Sequence, residues 1–176
     1  MYKSIAVFCG SNSGNKILFE EHAKQLGEML AQRNIQLIYG GGRIGLMGSV
    51  ANAVMQNGGK VIGVIPKVLL AWERQHTGIT ELRIVEDMHE RKKMMYELCD
   101  AAIILPGGNG TLDELFELVT WNTLGIHEKN IIILNSGGYY NHLIAHLQNM
   151  QAHDFLHEDW QKRISVCNEP ETIFLS

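Results

Sequence analysis

The chain has 176 residues, 45% of them hydrophobic, enough for the core of one compact domain spanning 1–176. Its formal net charge of -4 argues against nucleic-acid binding by bulk charge, and no apolar run is long enough to cross a bilayer. The start, Met1-Tyr2-Lys3-Ser4, lacks the basic region, apolar run and cleavage site of a signal peptide, so a cytoplasmic protein is expected.

Short apolar or β-branched runs alternate with longer amphipathic stretches. Residues 4–9 read as a strand, followed by a loop over 10–15 and a helix over 17–33. In that helix Leu18, Ala23, Leu26, Met29 and Leu30 share a face. A second strand at 36–39 breaks at Gly40-Gly41-Gly42, and a helix runs from there to Asn57, where Gly58-Gly59 stops it. Residues 61–65 form a third strand ended by Pro66. The stretch 67–80 lacks periodicity and is long for a connection, which makes it a candidate functional loop.

A fourth strand at 81–85 precedes a helix starting near His89. Ala101-Ala102-Ile103-Ile104-Leu105 is wholly apolar, as expected of a central parallel strand covered on both faces. A helix from Thr111 to Leu124 follows, then a buried strand at 131–134, a turn at Asn135-Ser136-Gly137-Gly138 and a helix to Met150. A short helix, a strand at 164–166 and a helical turn close the chain. Strand–helix alternation throughout predicts an α/β fold: a Rossmann-like, doubly wound, mostly parallel sheet flanked by helices. Cys9, Cys99 and Cys167 are widely spread without a CxxC pair, as expected of reduced thiols.

Two glycine-rich segments fall between a strand and a helix, where open α/β sheets bind their ligands. Glycine lets the backbone approach a phosphate, and the helix that follows supplies unpaired N–H donors and a positive dipole end. Gly40-Gly41-Gly42-Arg43-Ile44-Gly45 matches GxGxxG. However, the following strand, Val61-Ile62-Gly63-Val64-Ile65-Pro66-Lys67, carries no acid for a ribose, which argues against NAD(H). Glycines there serve equally well for close helix–sheet packing.

Leu105-Pro106-Gly107-Gly108-Asn109-Gly110-Thr111-Leu112-Asp113-Glu114 says more. It joins a buried strand, a glycine cradle, a hydroxyl at the expected N-cap and carboxylates in the expected first turn. It has no GxxxxGK[ST] lysine for a triphosphate, and no paired carboxylates for Mg²⁺ are evident, so a monophosphate held by backbone donors fits better than ATP. Thr111-x-x-Glu114 is also a capping box, and spacing alone leaves the capping and catalytic roles of Glu114 open.

These residues resemble the PGGxGTxxE signature of the LOG ("Lonely guy") family of cytokinin riboside 5′-monophosphate phosphoribohydrolases, many once labelled lysine decarboxylases. Further segments follow in the family's order: Phe8-Cys9-Gly10-Ser11, Gly40-Gly41-Gly42 with Gly45-Leu46-Met47-Gly48, Met88-His89-Glu90-Arg91-Lys92, Thr120-Trp121, Leu124-Gly125-Ile126-His127 and Gly138-Tyr139-Tyr140. The resemblance implies a Rossmann-like fold, no cofactor, and a homodimer with active sites near the subunit interface. It also implies cleavage of a nucleoside 5′-monophosphate to free base and ribose 5-phosphate. Carried over by position, Arg91 and Glu114 are the catalytic pair. Lys92, Gly107, Gly108, Gly110, Thr111 and Asp113 bind the nucleotide, joined more loosely by Glu73, Gly10 and Ser11. Thr123 stands where members often carry Gln, and Arg43 where a small residue is common. Both departures bear on substrate preference and dimer details rather than on the catalytic pair.

The chemistry implied is an oxocarbenium-like transition state, with a carboxylate to stabilise it and to orient or deprotonate water. By its sequence alone, Arg91-Lys92-Lys93 reads as an exposed basic helical turn, and only the family match reverses that. The leading rival is a nucleotide-binding module without hydrolysis. Pyridoxal-phosphate decarboxylation needs a Schiff-base lysine and a pyridinium partner that the sequence does not place. His142 and His146 lack the Glu of HExxH and read as part of a surface helix, with no metal expected. Gly10-Ser11-Asn12-Ser13-Gly14 has Asn12 where a hydrolase elbow needs its serine.

Overall fold

The computed structural model describes residues 2–70 and 75–174. Among them seven strands form one all-parallel sheet: β1 (Ser4–Phe8), β2 (Gln36–Tyr39), β3 (Val61–Pro66), β4 (Glu81–Val85), β5 (Ala101–Ile104), β6 (Asn130–Leu134) and β7 (Ile164–Cys167). The α-helices are α1 (Ile17–Gln32), α2 (Gly45–Gln56), α3 (Met88–Leu98), α4 (Asn109–Thr123) and α5 (Asn141–Ala152). The expected doubly wound, Rossmann-like architecture is present.

Alternation along the strands builds two cores. Ile5, Val7, Leu37 and Ile103 face α1 and α2, whereas Ala6, Phe8, Ile38 and Ile104 face α3, α4 and α5. Full burial of each large aliphatic side chain contributes about 1.5–3 kcal/mol, so both faces of the sheet are strongly fixed.

The strand order is β4-β3-β2-β1-β5-β6-β7. The chain winds outward from β1 to β4, then returns to the other side of β1 and winds outward again. Strands β1 and β5 therefore flank the topological switch point, where the loops leaving their carboxyl ends diverge and open a crevice. Gly10 leaves β1 there and Pro106 leaves β5.

Two expectations change in detail. Helix α4 starts at Asn109 with Gly108 as N-cap, so Thr111 is not the cap, and Asp113 and Glu114 lie in the second turn rather than the first. The capping box drawn on Thr111 and Glu114 is therefore out of register. The stretch after β3 is also not wholly irregular. It begins with a 3₁₀ turn, Lys67–Leu69, and later returns over the first glycine loop, where Gln75 bridges Gly42 and the His76 amide donates to Gly41 O at 2.9 Å.

Candidate active site

A cleft of about 290 Å³ opens at the switch point, between the ends of β1 and β5. It lies at the small end of the range for small-molecule sites. Its wall includes Arg91, Glu114, Thr111, Gly108, Gly110 and Ser11, all named from the sequence.

Arg91 projects from α3 and is only 4% exposed. Its Nε donates to Val64 O at 3.1 Å and its Nη2 to Gly40 O at 2.8 Å, so the ends of β2 and β3 hold the guanidinium plane. Buried in this way, it is no exposed basic turn. Only Lys93 of the Arg91-Lys92-Lys93 run is exposed. Glycine at position 40 is what admits the guanidinium, since a Cβ there would lie 2.0 Å from Nη2.

Glu114 comes from α4 and is 9% exposed. Its backbone carbonyl accepts from the Tyr96 hydroxyl at 3.1 Å, which fixes α4 against α3. Between the two catalytic candidates lies buried Cys9, which also lines the cleft. Burial pushes the Cys9 thiol well above its ordinary pKa; the Glu114 carboxylate adds to this and Arg91 opposes it. Charges at this buried end of the cleft therefore act strongly on one another.

Lys92 and Asp113 stand beside the cleft rather than in its wall. Lys92 Nζ is 3.0 Å from Asp113 Oδ2 and also contacts Glu117, tying α3 to α4. Burial works against the ammonium, but hydrogen bonds and charge from Glu117 and Asp113 outweigh it, and the Lys92 pKa is raised. The Gly10 amide is likewise engaged, donating to Pro106 O at 3.0 Å. Gly107 packs against Thr111, whose Oγ1 would lie 2.1 Å from a Cβ at Gly107. Glu73 lies outside the described residues.

The sequence reading missed Met47, Leu69 and Met88, apolar side chains that complete the wall. Met88 and Met47 belong to segments already singled out, but nothing in their spacing marks them as facing a ligand. His142 and His146 are exposed on α5, in keeping with a surface helix. Among the described residues no group of three or more His, Cys, Asp or Glu is placed to hold a metal ion, and no helix is long and apolar enough to cross a membrane.

Comparison with known proteins places this site in a family. Residues 47–176 match the model described as "Possible lysine decarboxylase". The cytokinin riboside 5′-monophosphate phosphoribohydrolase of Rhodococcoides fascians is 43% identical over 170 residues, covering 96% of this chain and 86% of that one. An Arabidopsis thaliana protein of the same name is 48% identical over 155 residues, 88% of this chain and 73% of that one. Among solved structures, a molybdenum cofactor binding protein from Rippkaea orientalis superposes with a TM-score of 0.73 over 97% of this chain and 92% of that one. At 20% identity it speaks for the fold alone. With most of its length aligned to these relatives and the family model matched from Met47 onward, the chain belongs to the LOG family, the possible-lysine-decarboxylase family of the matching model.

Proposed function

We propose that this protein hydrolyses the N-glycosidic bond of an adenine-type nucleoside 5′-monophosphate, plain or N6-substituted, releasing the free base and ribose 5-phosphate. The observation that carries this reading is the placement of Arg91 and Glu114. Both are buried, they come from different helices, and they share one cleft lined also by the amino end of α4. The sequence relatives' names agree with it.

In this reading the 5′-phosphate sits over the N–H groups of Gly108, Gly110 and Thr111, favoured by the helix dipole. That places the ribose toward the cleft floor, beside Glu114. As the bond from C1′ to the base nitrogen breaks, its electron pair leaves with the base, which takes up a proton. Water adds to C1′ and completes ribose 5-phosphate. Glu114 stabilises the positive charge on the ribose and orients or deprotonates that water. Arg91, held by the carbonyls of Val64 and Gly40, brings a fixed positive charge to the cleft, where it would act on substrate oxygens or the departing base. Lys92 and Asp113 act from beside the cleft, Gly107 and Gly10 shape the loop, and Ser11 lines the rim. The proposed substrate contact of Glu73 rests on the resemblance alone. Homodimer formation with sites near the subunit interface belongs to the same proposal, and light scattering on the purified protein tests it.

A decarboxylase reading fares worse. Among the described residues the cleft wall carries no lysine for a Schiff base, and the Lys92 ammonium is committed to Asp113 and Glu117.

Incubation with AMP and, separately, with isopentenyladenosine monophosphate, followed by chromatography of the free base, tests the reaction directly. Release of base is expected from at least one, with the rate ratio reporting the preferred base. Glu114→Gln should retain AMP binding and lose about 10²–10³-fold in turnover. AMP binding without release from either substrate would put the binding-module reading ahead.

A further inference from the structure

We propose that Tyr139 and Tyr140 are positioning residues for phosphate recognition, holding the carbonyls of the glycine loop away from the ligand so that only N–H groups face it. This rests on the reading of the loop as a phosphate site.

A phosphate-binding loop has a specific electrostatic problem. Its amides attract an anion, but each peptide unit also carries a carbonyl oxygen that repels one, and a glycine-rich segment is free to turn either way. Here three consecutive carbonyls are each engaged by a donor. Leu105 O accepts from the Tyr140 hydroxyl at 2.7 Å, Pro106 O from the Gly10 amide at 3.0 Å, and Gly107 O from the Tyr139 hydroxyl at 2.7 Å. Two of the three donors are adjacent side chains from one turn. With those peptide planes fixed, the chain enters α4 at Gly108 with its amino end toward the cleft.

The turn that supplies the tyrosines is itself well anchored. It follows β6 as a 3₁₀ turn, Ser136–Gly138, in which Gly137 and Gly138 have φ of 56° and 75°, a left-handed conformation that favours glycine. Buried Asn135 accepts from the Tyr140 amide at 2.7 Å and donates to Asn141 Oδ1 at 2.9 Å, so the backbone beneath both rings is pinned. The rings meet edge to face at 4.8 Å, and Tyr139 also meets Phe19 of α1 at 5.5 Å. Tyr140 is buried and its hydroxyl pKa is raised by that burial, so it stays a neutral donor at any working pH. Tyr139 is 44% exposed. An exposed tyrosine gains little from burial, and its hydroxyl is spent on a loop carbonyl rather than on solvent alone.

The deciding experiment is Tyr139→Phe, which keeps the ring and its contact with Phe19 and removes only the hydroxyl. Because Tyr139 is partly exposed and its ring is kept, the variant should fold normally. Dissociation constants for AMP, ribose 5-phosphate and adenosine are measured by calorimetry on wild type and variant. Affinity for AMP and ribose 5-phosphate should fall about five- to tenfold, with adenosine unchanged. In turnover the loss should appear in KM while kcat stays within about twofold. Tyr140→Phe should give the same selective loss. Tyr139→Phe alone decides the matter where the buried Tyr140 variant proves unstable.

A purely structural tyrosine would lower Tm and leave the ratio of AMP to adenosine affinity at its wild-type value; that outcome overturns the proposal, as does wild-type protein that binds AMP no better than adenosine. The binding ratio does not depend on catalysis. Wild type that binds AMP without cleaving it, and loses that binding selectively in Tyr139→Phe, would sink the hydrolase reading and leave the positioning role standing.

Discussion

The two glycine-rich loops look alike in sequence and differ in what their glycines meet. In the first loop a Cβ has no room. At Gly40 it would lie 2.0 Å from Arg91 Nη2, and at Gly45 2.3 Å from the Ser11 backbone. In the second loop Gly107 is packed against Thr111, but a Cβ at Gly108 or Gly110 meets nothing within 4 Å, and both residues line the cleft. Glycines of the first kind let protein pack against protein. Those of the second kind leave open space at the cleft. The GxGxxG match of the first loop is therefore a packing device that seats the Arg91 guanidinium, and the less familiar pattern of the second loop forms the cleft lip.

The largest effect that sharpens this contrast should come from Gly45→Ala. Gly45 has φ +61°, which an alanine adopts only with strain, and the new methyl would strike the Ser11 backbone, which cannot swing aside as a long side chain can. Strain and overpacking together cost about 3 kcal/mol or more, a fall in Tm of roughly 10 °C. Thermal unfolding checks it. A Tm within 2–3 °C of wild type, by rough estimate, would mean the loop is loose enough to move, and the packing role assigned to it would fail.

Gly108→Ala should do the reverse. Its backbone is extended, with φ -96° and ψ -154°, open to any residue, so stability should stay within about 0.5 kcal/mol of wild type. The methyl would enter the space that the proposed function gives to the phosphate, and AMP binding should weaken about tenfold. Calorimetry with AMP and a melting curve give both numbers from one preparation. Lost stability with unchanged affinity would make the second loop resemble the first and erase the comparison.

Much of this was legible in the sequence, for identifiable reasons. The strands were visible because a parallel sheet covered on both faces demands continuous apolar runs such as Ala101-Ala102-Ile103-Ile104. The start of α4 was placed two residues late. Asn109 and Gly110 are poor helix formers and the apolar periodicity resumes only at Leu112, whereas in the structure the helix begins at Asn109, with only the four residues 105–108 between it and β5. The burial of Arg91 could not be read from its own helix. It depends on carbonyls of Gly40 and Val64, 51 and 27 residues away in the chain, which only the sheet brings together. The same holds for Tyr139 and Tyr140, recognised as a segment but given a role only when their hydroxyls are seen on Gly107 and Leu105. The second loop thus marked its place at the cleft through its own residues, and what orients it came from elsewhere in the chain.

The smallest expected effect probes the floor between the two loops. Cys9 and Cys99 are both buried, whereas Cys167 is partly exposed. Burial pushes Cys99 up to about 11, and Cys9 is raised further still, by burial and then by the Glu114 carboxylate. A thiol with pKa about 11 is on the order of 0.1% thiolate at pH 8, so neither should react readily, and Ellman's reagent should titrate about one thiol in native protein. The two protected thiols differ in their surroundings, because Cys9 lines the open cleft and Cys99 does not. At higher pH, as the thiolate fraction grows, slow labelling should reach Cys9 through the cleft, and AMP should slow it without changing the rate at Cys99. Rapid labelling of Cys9 at pH 8 would show that its thiol is not held protonated, and the account of a buried thiol raised by burial and by Glu114 would fail. Labelling of Cys9 indifferent to AMP would place the nucleotide away from the second loop.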